Sequence, residues 1–352
     1  MKLLFLILGI GFVLLLITSG LSFAVARTPV PSGPFTVESV NLITQWRSAV
    51  DKNQAHQNSL SGLQMWYPVP WSASSGDKNG APVVFYFASG AVDNHNLIQD
   101  LVSQGLVVVA LIENQYQVFD FSSESAYQNT LHLAKQSLDR RTRDAVSVLN
   151  WLELSNSQAV NPVLPVSLSL TSVATLGYSF SGAVAAEACH KDHRFQAAVN
   201  LDGWLFGQSL AQGVPCKFLM FSDGSAEPGD ADLNAAELSR RYSARLTRDV
   251  FQSLYQYMPI QGGIFLRLAN SGHRNFTDRQ LSSWLHRTGW PGRISGARAA
   301  LIINRYVSDF FQETLVDKSS VLLQANSPDY PEISLKRWHK KDQVLSGETG
   351  NL

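Results

Sequence analysis

A serine at a tight turn is the strongest chemical signal in this chain. Residues Val173-Ala174-Thr175-Leu176 lead into Gly177-Tyr178-Ser179-Phe180-Ser181-Gly182-Ala183. A short apolar strand, then Gly-x-Ser-x-small, then an alanine-rich run is the pattern of a strand-to-helix elbow that carries a nucleophilic serine. The helix leaves the strand so sharply that small residues are needed two before and two after the serine. Ser181 and Gly182 serve here, although the usual glycine comes one position late. Such an elbow lifts Ser179 Oγ clear of the sheet at a helix N-terminus, where backbone N–H groups stabilise negative charge. A structural turn with a helix-capping serine is the competing reading of the same string.

A serine nucleophile needs a base and an orienting carboxylate. With this kind of elbow the chain order is serine, acid, histidine. Eight histidines compete. His273 lies in Ser271-Gly272-His273-Arg274-Asn275-Phe276, a loop straight after the last expected strand, where a base should sit. His286 and His339 follow in a helix and a polar tail. His190 and His193 with Asp192 are too few ligands for a metal site and read as a solvated helix end; no metal and no cofactor is expected. Asp202 and Asp223 each end a strand, where the sites of open α/β sheets gather, and the residues alone do not choose between them. The oxyanion of an acyl transfer needs two backbone N–H groups. Phe180 follows the serine, and Ala91 is the best candidate in the loop Ala88-Ser89-Gly90-Ala91-Val92.

These residues have to be held by elements that alternate. Apolar, β-branched runs recur at 63–67, 82–87, 106–112, 173–178, 197–201, 217–222 and 264–268. Helix-period segments lie at 97–103, 132–154, 183–189 and 297–315, the second with apolar residues every three to four positions. Alternating β and α predicts an α/β fold with a mostly parallel central sheet and helices on both faces. The runs 82–87 and 106–112 are continuously apolar, as strands buried on both faces should be. Thr28 to Gly33 and Pro70 to Gly80 read as surface connections. We expect one domain over 27–352, with extended N- and C-terminal segments.

Taken together, the motifs resemble the secreted type of platelet-activating-factor acetylhydrolase and its bacterial relatives, within the α/β-hydrolases. The segment 83–91 is similar to that family's strand and His-Gly loop, with Ser89 where the family has histidine. Residues 177–182 resemble its Gly-His-Ser-Phe-Gly-Gly elbow, with Ser181 where the family has glycine. Arg194-Phe195 and Leu201-Asp202-Gly203-Trp204 resemble its Arg-Phe and Leu-Asp-Ala-Trp strings, and His273-Arg274-Asn275-Phe276 its His-Gln-Asn-Phe loop. The likeness spans about 62–315. It implies the α/β-hydrolase fold, assigns the acid to Asp202, and implies metal-independent hydrolysis of carboxylic esters, often short acyl chains on phospholipids. Polyesters, lactones and thioesters are alternative substrates. A catalytically silent α/β-hydrolase acting as a binding protein is the rival of another class.

Composition narrows the rest. Twenty-eight Lys+Arg balance 28 Asp+Glu, so there is no basic footprint for nucleic acid. Hydrophobic residues make up 45% of the chain, enough for a large core and too many for a disordered chain. Residues 1–26 place Lys2 before an apolar run and end in Ala24-Val25-Ala26, which reads as a secretory signal peptide; an uncleaved anchor is the competing reading. Export, and contact with a membrane surface, are therefore expectations. The two cysteines, Cys189 and Cys216, are compatible with one disulfide or with two buried thiols. Asn275-Phe276-Thr277 has the form of a glycosylation sequon, but a glycan beside His273 would crowd the base, so the match reads as chance.

Overall fold

The computed structural model describes residues 28–49, 59–71, 80–157, 164–281 and 292–340. The leader expected at 1–26 and His286 lie outside them.

One nine-stranded sheet organises the described residues. Its strands are β1 (Thr36–Asn41), β2 (Leu60–Val69), β3 (Ala81–Ser89), β4 (Val107–Glu113), β5 (Leu168–Tyr178), β6 (Phe195–Leu201), β7 (Lys217–Ser222), β8 (Gly263–Leu268) and β9 (Ile333–Trp338). They lie in the order β1-β2-β4-β3-β5-β6-β7-β8-β9. The six from β4 to β8 run parallel, and the outer pairings, β1 with β2, β2 with β4 and β8 with β9, are antiparallel. All seven expected strands form, most of them longer at one or both ends.

Side chains alternate across this sheet as the two-residue period demands. Val83, Phe85 and Phe87 enter one core with α1 (Ile43–Ala49), α3 (Glu124–Asn156), α4 (Phe180–Lys191) and α7 (Leu238–Gln261). Val84, Tyr86 and Ala88 enter the other with α2 (His95–Ser103) and α8 (Gly296–Leu315). Each large apolar side chain buried this way contributes roughly 1.5–3 kcal/mol, so both faces hold the strand ends rigid. Four short helical pieces complete the set: α5 (Gly207–Gln212), α6 (Asp230–Leu233) and the 3-10 turns His273–Phe276 and Asp278–Leu281.

Two long helices differ from expectation. α3 begins at Glu124 rather than at 132, because the Ser123 hydroxyl accepts the Ala126 N–H and caps a first turn with little apolar period. The sequence reading names no helix between β7 and β8, yet the 24-residue α7 fills that stretch. Its buried Tyr242, Leu246, Val250, Leu254 and Met258 recur every fourth residue, a helical stripe among arginines and serines. Cys189 at the end of α4 and Cys216 before β7 are joined as a disulfide, with Cα atoms 5.9 Å apart. The pairing resolves the two readings in favour of a bond.

Candidate active site

Ser179 follows β5 and opens α4 with φ 57° and ψ −130°, a region that L-residues adopt only when their surroundings force it. Two neighbours do the forcing. The Ser179 N–H donates to the Leu201 carbonyl at 2.9 Å, and Gly203 packs so close that a Cβ there would stand 1.9 Å from the Ser179 carbonyl oxygen. Alanine, which the resembling family carries at that place, does not fit this chain. Asp202 repeats the device one strand over. Its N–H donates to the Phe221 carbonyl at 2.7 Å, and its φ is 56°. The fully buried Asn200 side chain closes the loop around it, accepting the Gly203 N–H at 2.8 Å and donating to the Gly203 carbonyl at 3.1 Å.

His273 begins the 3-10 turn after β8. Asn275 Oδ1 accepts the Gly272 N–H at 2.9 Å, and Phe276 packs edge-on against Phe221 at 5.4 Å between centroids. The Phe276 carbonyl accepts the Asn94 amide at 2.7 Å, so the His273 loop is pinned rather than loose. Asn275, the sequon residue, is fully buried and presents no surface to a glycan.

Three separate strand ends therefore converge. His273 Nε2 lies 3.0 Å from Ser179 Oγ, and His273 Nδ1 lies 2.6 Å from Asp202 Oδ2. Asp202 Oδ1 accepts the Asp223 N–H at 2.8 Å and faces the Ser222 hydroxyl at 3.4 Å. The Asp223 carboxylate turns away and accepts the Ser225 N–H at 2.9 Å. The geometry thus brings Asp202 to the imidazole and leaves Asp223 as a turn residue. Burial pushes the Asp202 carboxyl above its ordinary value, opposed by the His273 hydrogen bond. The Tyr178 ring lies 4.7 Å from the imidazole and limits how far it can swing.

Two cavities meet at Ser179 and His273. The larger, about 390 Å³, runs between Trp204 and Phe206 on one side and Val250, Phe251 and Leu254 of α7 on the other. Phe119 closes it, edge-on to Trp204 at 5.2 Å and stacked on Phe206 at 6.0 Å. Trp204 is fixed by its indole N–H, donated to Thr247 at 2.9 Å. The smaller, about 190 Å³, has both expected oxyanion residues, Ala91 and Phe180, in its wall. The Phe180 N–H belongs to the first turn of α4, where no intrahelical acceptor exists. The Ala91 N–H donates to the Ser89 carbonyl at 2.9 Å across Gly90, which has φ 73°, a γ-turn. His190 Nε2 meets the Gly213 carbonyl at 2.8 Å, and His193 is solvent-exposed; neither points toward the site. Among the described residues, no three His, Cys, Asp or Glu side chains are grouped to hold a metal ion.

Residues 106–213 match the model of the family "Platelet-activating factor acetylhydrolase, isoform II", a span that holds Ser179, Phe180 and Asp202. A protein of Arthroderma benhamiae named "Probable 1-alkyl-2-acetylglycerophosphocholine esterase" is 24% identical over 281 residues, covering 74% of this chain and 67% of that protein. The chain has an α/β-hydrolase fold and is similar to the platelet-activating-factor acetylhydrolases over the matched span. It is a carboxylic ester hydrolase. The fold has a solved counterpart in a ferulic acid esterase from Streptomyces cinnamoneus, with a TM-score of 0.57 and 18% identity over 88% of this hydrolase and 98% of that chain.

Several residues of the hydrolase's site escape sequence reasoning. Phe119 sits in an irregular loop with no period to reveal it. Asn200 looks like one more strand residue. The wall from α7 did carry a signal, its four-residue stripe, and Trp204 was visible only as part of a resembling string.

Proposed function

We propose that this hydrolase is an exported serine esterase that cleaves small or phospholipid carboxylic esters through Ser179, His273 and Asp202 and a covalent acyl-enzyme. One observation carries the reading: the unbroken chain of contacts from Ser179 Oγ to His273 Nε2 at 3.0 Å and from His273 Nδ1 to Asp202 at 2.6 Å. For the serine to be activated, Nδ1 must carry the proton donated to Asp202, leaving Nε2 as acceptor. Ser179 Oγ then attacks the ester carbonyl carbon as its proton passes to Nε2. The carbonyl oxygen becomes an anion facing the Phe180 and Ala91 N–H groups. When the tetrahedral intermediate collapses, the ester C–O bond breaks and the alcohol leaves with the proton from Nε2. Water repeats the sequence on the acyl-enzyme, with His273 again as base, and releases the acid.

The Ala91 N–H has to exchange the Ser89 carbonyl for the substrate oxygen, a tightening of apo geometry that catalytic hydrogen bonds commonly undergo. The larger cavity suits an apolar arm of the ester, since its volume of about 390 Å³ falls in the range of small-molecule pockets. The phosphocholine ester in the relative's name makes short-acyl phospholipids the first substrates to try. Tyr116 and Val118, 59% and 72% exposed beside Phe119, suit contact with a lipid surface. Export rests on the apolar leader, and the Cys189–Cys216 bond suits an oxidising compartment. The test is turnover of p-nitrophenyl esters of rising chain length and of a 2-acetyl phosphocholine lipid. Wild type should hydrolyse them without added metal, and Ser179→Ala should not. Undiminished turnover by Ser179→Ala refutes the reading.

A further inference from the structure

A buried cation outside this machinery is Arg141 on α3. Its side chain is 3% exposed, and burial pulls its guanidinium down to about 10. A cation is not retained in such a place unless its surroundings compensate it. Its partners lie on both sides of the smaller cavity. Nε pairs with Glu113 at 3.2 Å. Nη2 donates to the Ala88 carbonyl at 3.2 Å and to Ser181 Oγ at 2.9 Å, and Nη1 reaches Ser89 Oγ at 3.4 Å. The guanidinium also lies 5.9 Å from the centre of the Phe180 ring.

These contacts join the two segments that carry the oxyanion N–H groups. Ala88 and Ser89 lead into the Gly90 turn and Ala91; Phe180 and Ser181 form the first turn after the nucleophile. The two hydroxyls lie 3.4 Å apart, and they stand at two of the places where this chain departs from the resembling family, serine for histidine and serine for glycine. Both departures thus meet one cation. Glu113 fixes that cation from behind. Its carboxylate also takes Arg140 at 3.0 Å and the Ser59 hydroxyl, and its backbone carbonyl accepts the Gly90 N–H at 2.5 Å.

We propose that Arg141 is a positioning residue for the oxyanion hole: it clamps the 88–91 loop to the first turn of α4 so that the N–H groups of Ala91 and Phe180 converge on one substrate oxygen. Holding Ala88 and Ser89 still is what lets the Gly90 turn release the Ala91 N–H without the strand end drifting. The inference rests on the proposed role of Ser179. A plain structural ion pair would lower stability when altered and leave chemistry alone, whereas a clamp acts on kcat.

Arg141→Lys keeps the charge and loses the planar fork. The double variant Ser89→Ala/Ser181→Ala keeps Arg141 and removes its two hydroxyl partners. Steady-state kinetics on a small soluble p-nitrophenyl ester should show kcat reduced about tenfold to hundredfold in each, below the full loss of an oxyanion donor. KM should stay within about threefold, because the interaction matters only in the transition state. Melting temperatures of the double variant should stay within roughly 4 °C of wild type. If Arg141→Lys fails to fold, the double variant decides. Wild-type kcat in any folded variant, or a loss confined to KM, overturns the clamp. Activity surviving in Ser179→Ala refutes the nucleophile instead, so the two failures are distinguishable.

Discussion

Asp202 and Asp223 stand on adjacent strand ends, and their chemistry separates at the level of single atoms. Asp202 gives its carboxylate to His273, while Asp223 gives only a backbone N–H to Asp202. Burial raises the Asp202 carboxyl above its ordinary value of 3.8, so folding favours its protonated form. Ionised Asp202 therefore opposes folding at neutral pH, and that cost fades as pH falls through the raised value toward 3.8. Asp202→Asn should lose roughly 10³–10⁴ in kcat while melting no lower than wild type at pH 7. Asp223→Asn should retain kcat within about threefold, since its carboxylate serves only a turn. Paired kinetics and melts check both, and a crippled Asp223→Asn beside an active Asp202→Asn would move the acid to the later strand. Gly203→Ala should destabilise by about 1–3 kcal/mol, as overpacking does, and lower kcat, because its Cβ would stand 1.9 Å from the Ser179 carbonyl. Unchanged melting and turnover in that variant would contradict the close approach. At this scale Ser179, His273 and both acid candidates could be picked out from residue type and position. Asn200 and Arg141 were not, since a strand asparagine and a helix arginine look ordinary until their partners from distant sequence are known.

Among elements, α7 decides what the site can hold. Val250, Phe251 and Leu254 form one wall of the larger cavity, facing Trp204 and Phe206 across it. Leu254→Phe narrows that space. The ratio of kcat/KM for p-nitrophenyl octanoate to that for acetate should fall by about tenfold, the scale on which a hydrophobic pocket distinguishes chain lengths. An unchanged ratio would place the acyl chain elsewhere. The parallel strands were readable because burial on both faces makes them continuously apolar. The edge strands β1 and β9 were not, because their half-polar alternation is weak and they lie outside the resembling span. The stripe in α7 follows the helical period but is diluted by four arginines, so its apolar face stands out only against the sheet it covers. The loop from 114 to 121 has no period at all, and its Phe119 is placed by the aromatic cluster it joins.

Over the whole molecule, chemistry and stability are separated by the length of the strands. The site gathers at the carboxyl ends of β5, β6 and β8, whereas Cys216 stands at the opposite end of β7, bonded to Cys189 across 27 residues. Closing a loop of that size restrains the unfolded chain by roughly 3–4 kcal/mol. Cys189→Ser/Cys216→Ser should therefore melt lower and keep its kcat; a loss of kcat in the folded variant would show that the bond also shapes the site. The alternation of strands and helices made the mostly parallel sheet readable, because few arrangements bury such a pattern. The convergence of three strand ends on one imidazole could be expected in kind but not in distance. The central claim is that Ser179 becomes acylated. It is tested most directly by quenching the enzyme during turnover of a p-nitrophenyl ester and mapping the adduct by peptide mass spectrometry. The account predicts about one equivalent of p-nitrophenol in a rapid burst and an acyl mass on the peptide containing Ser179, both absent in Ser179→Ala. Hydrolysis at full rate with no adduct, or with the adduct on another residue, would contradict it.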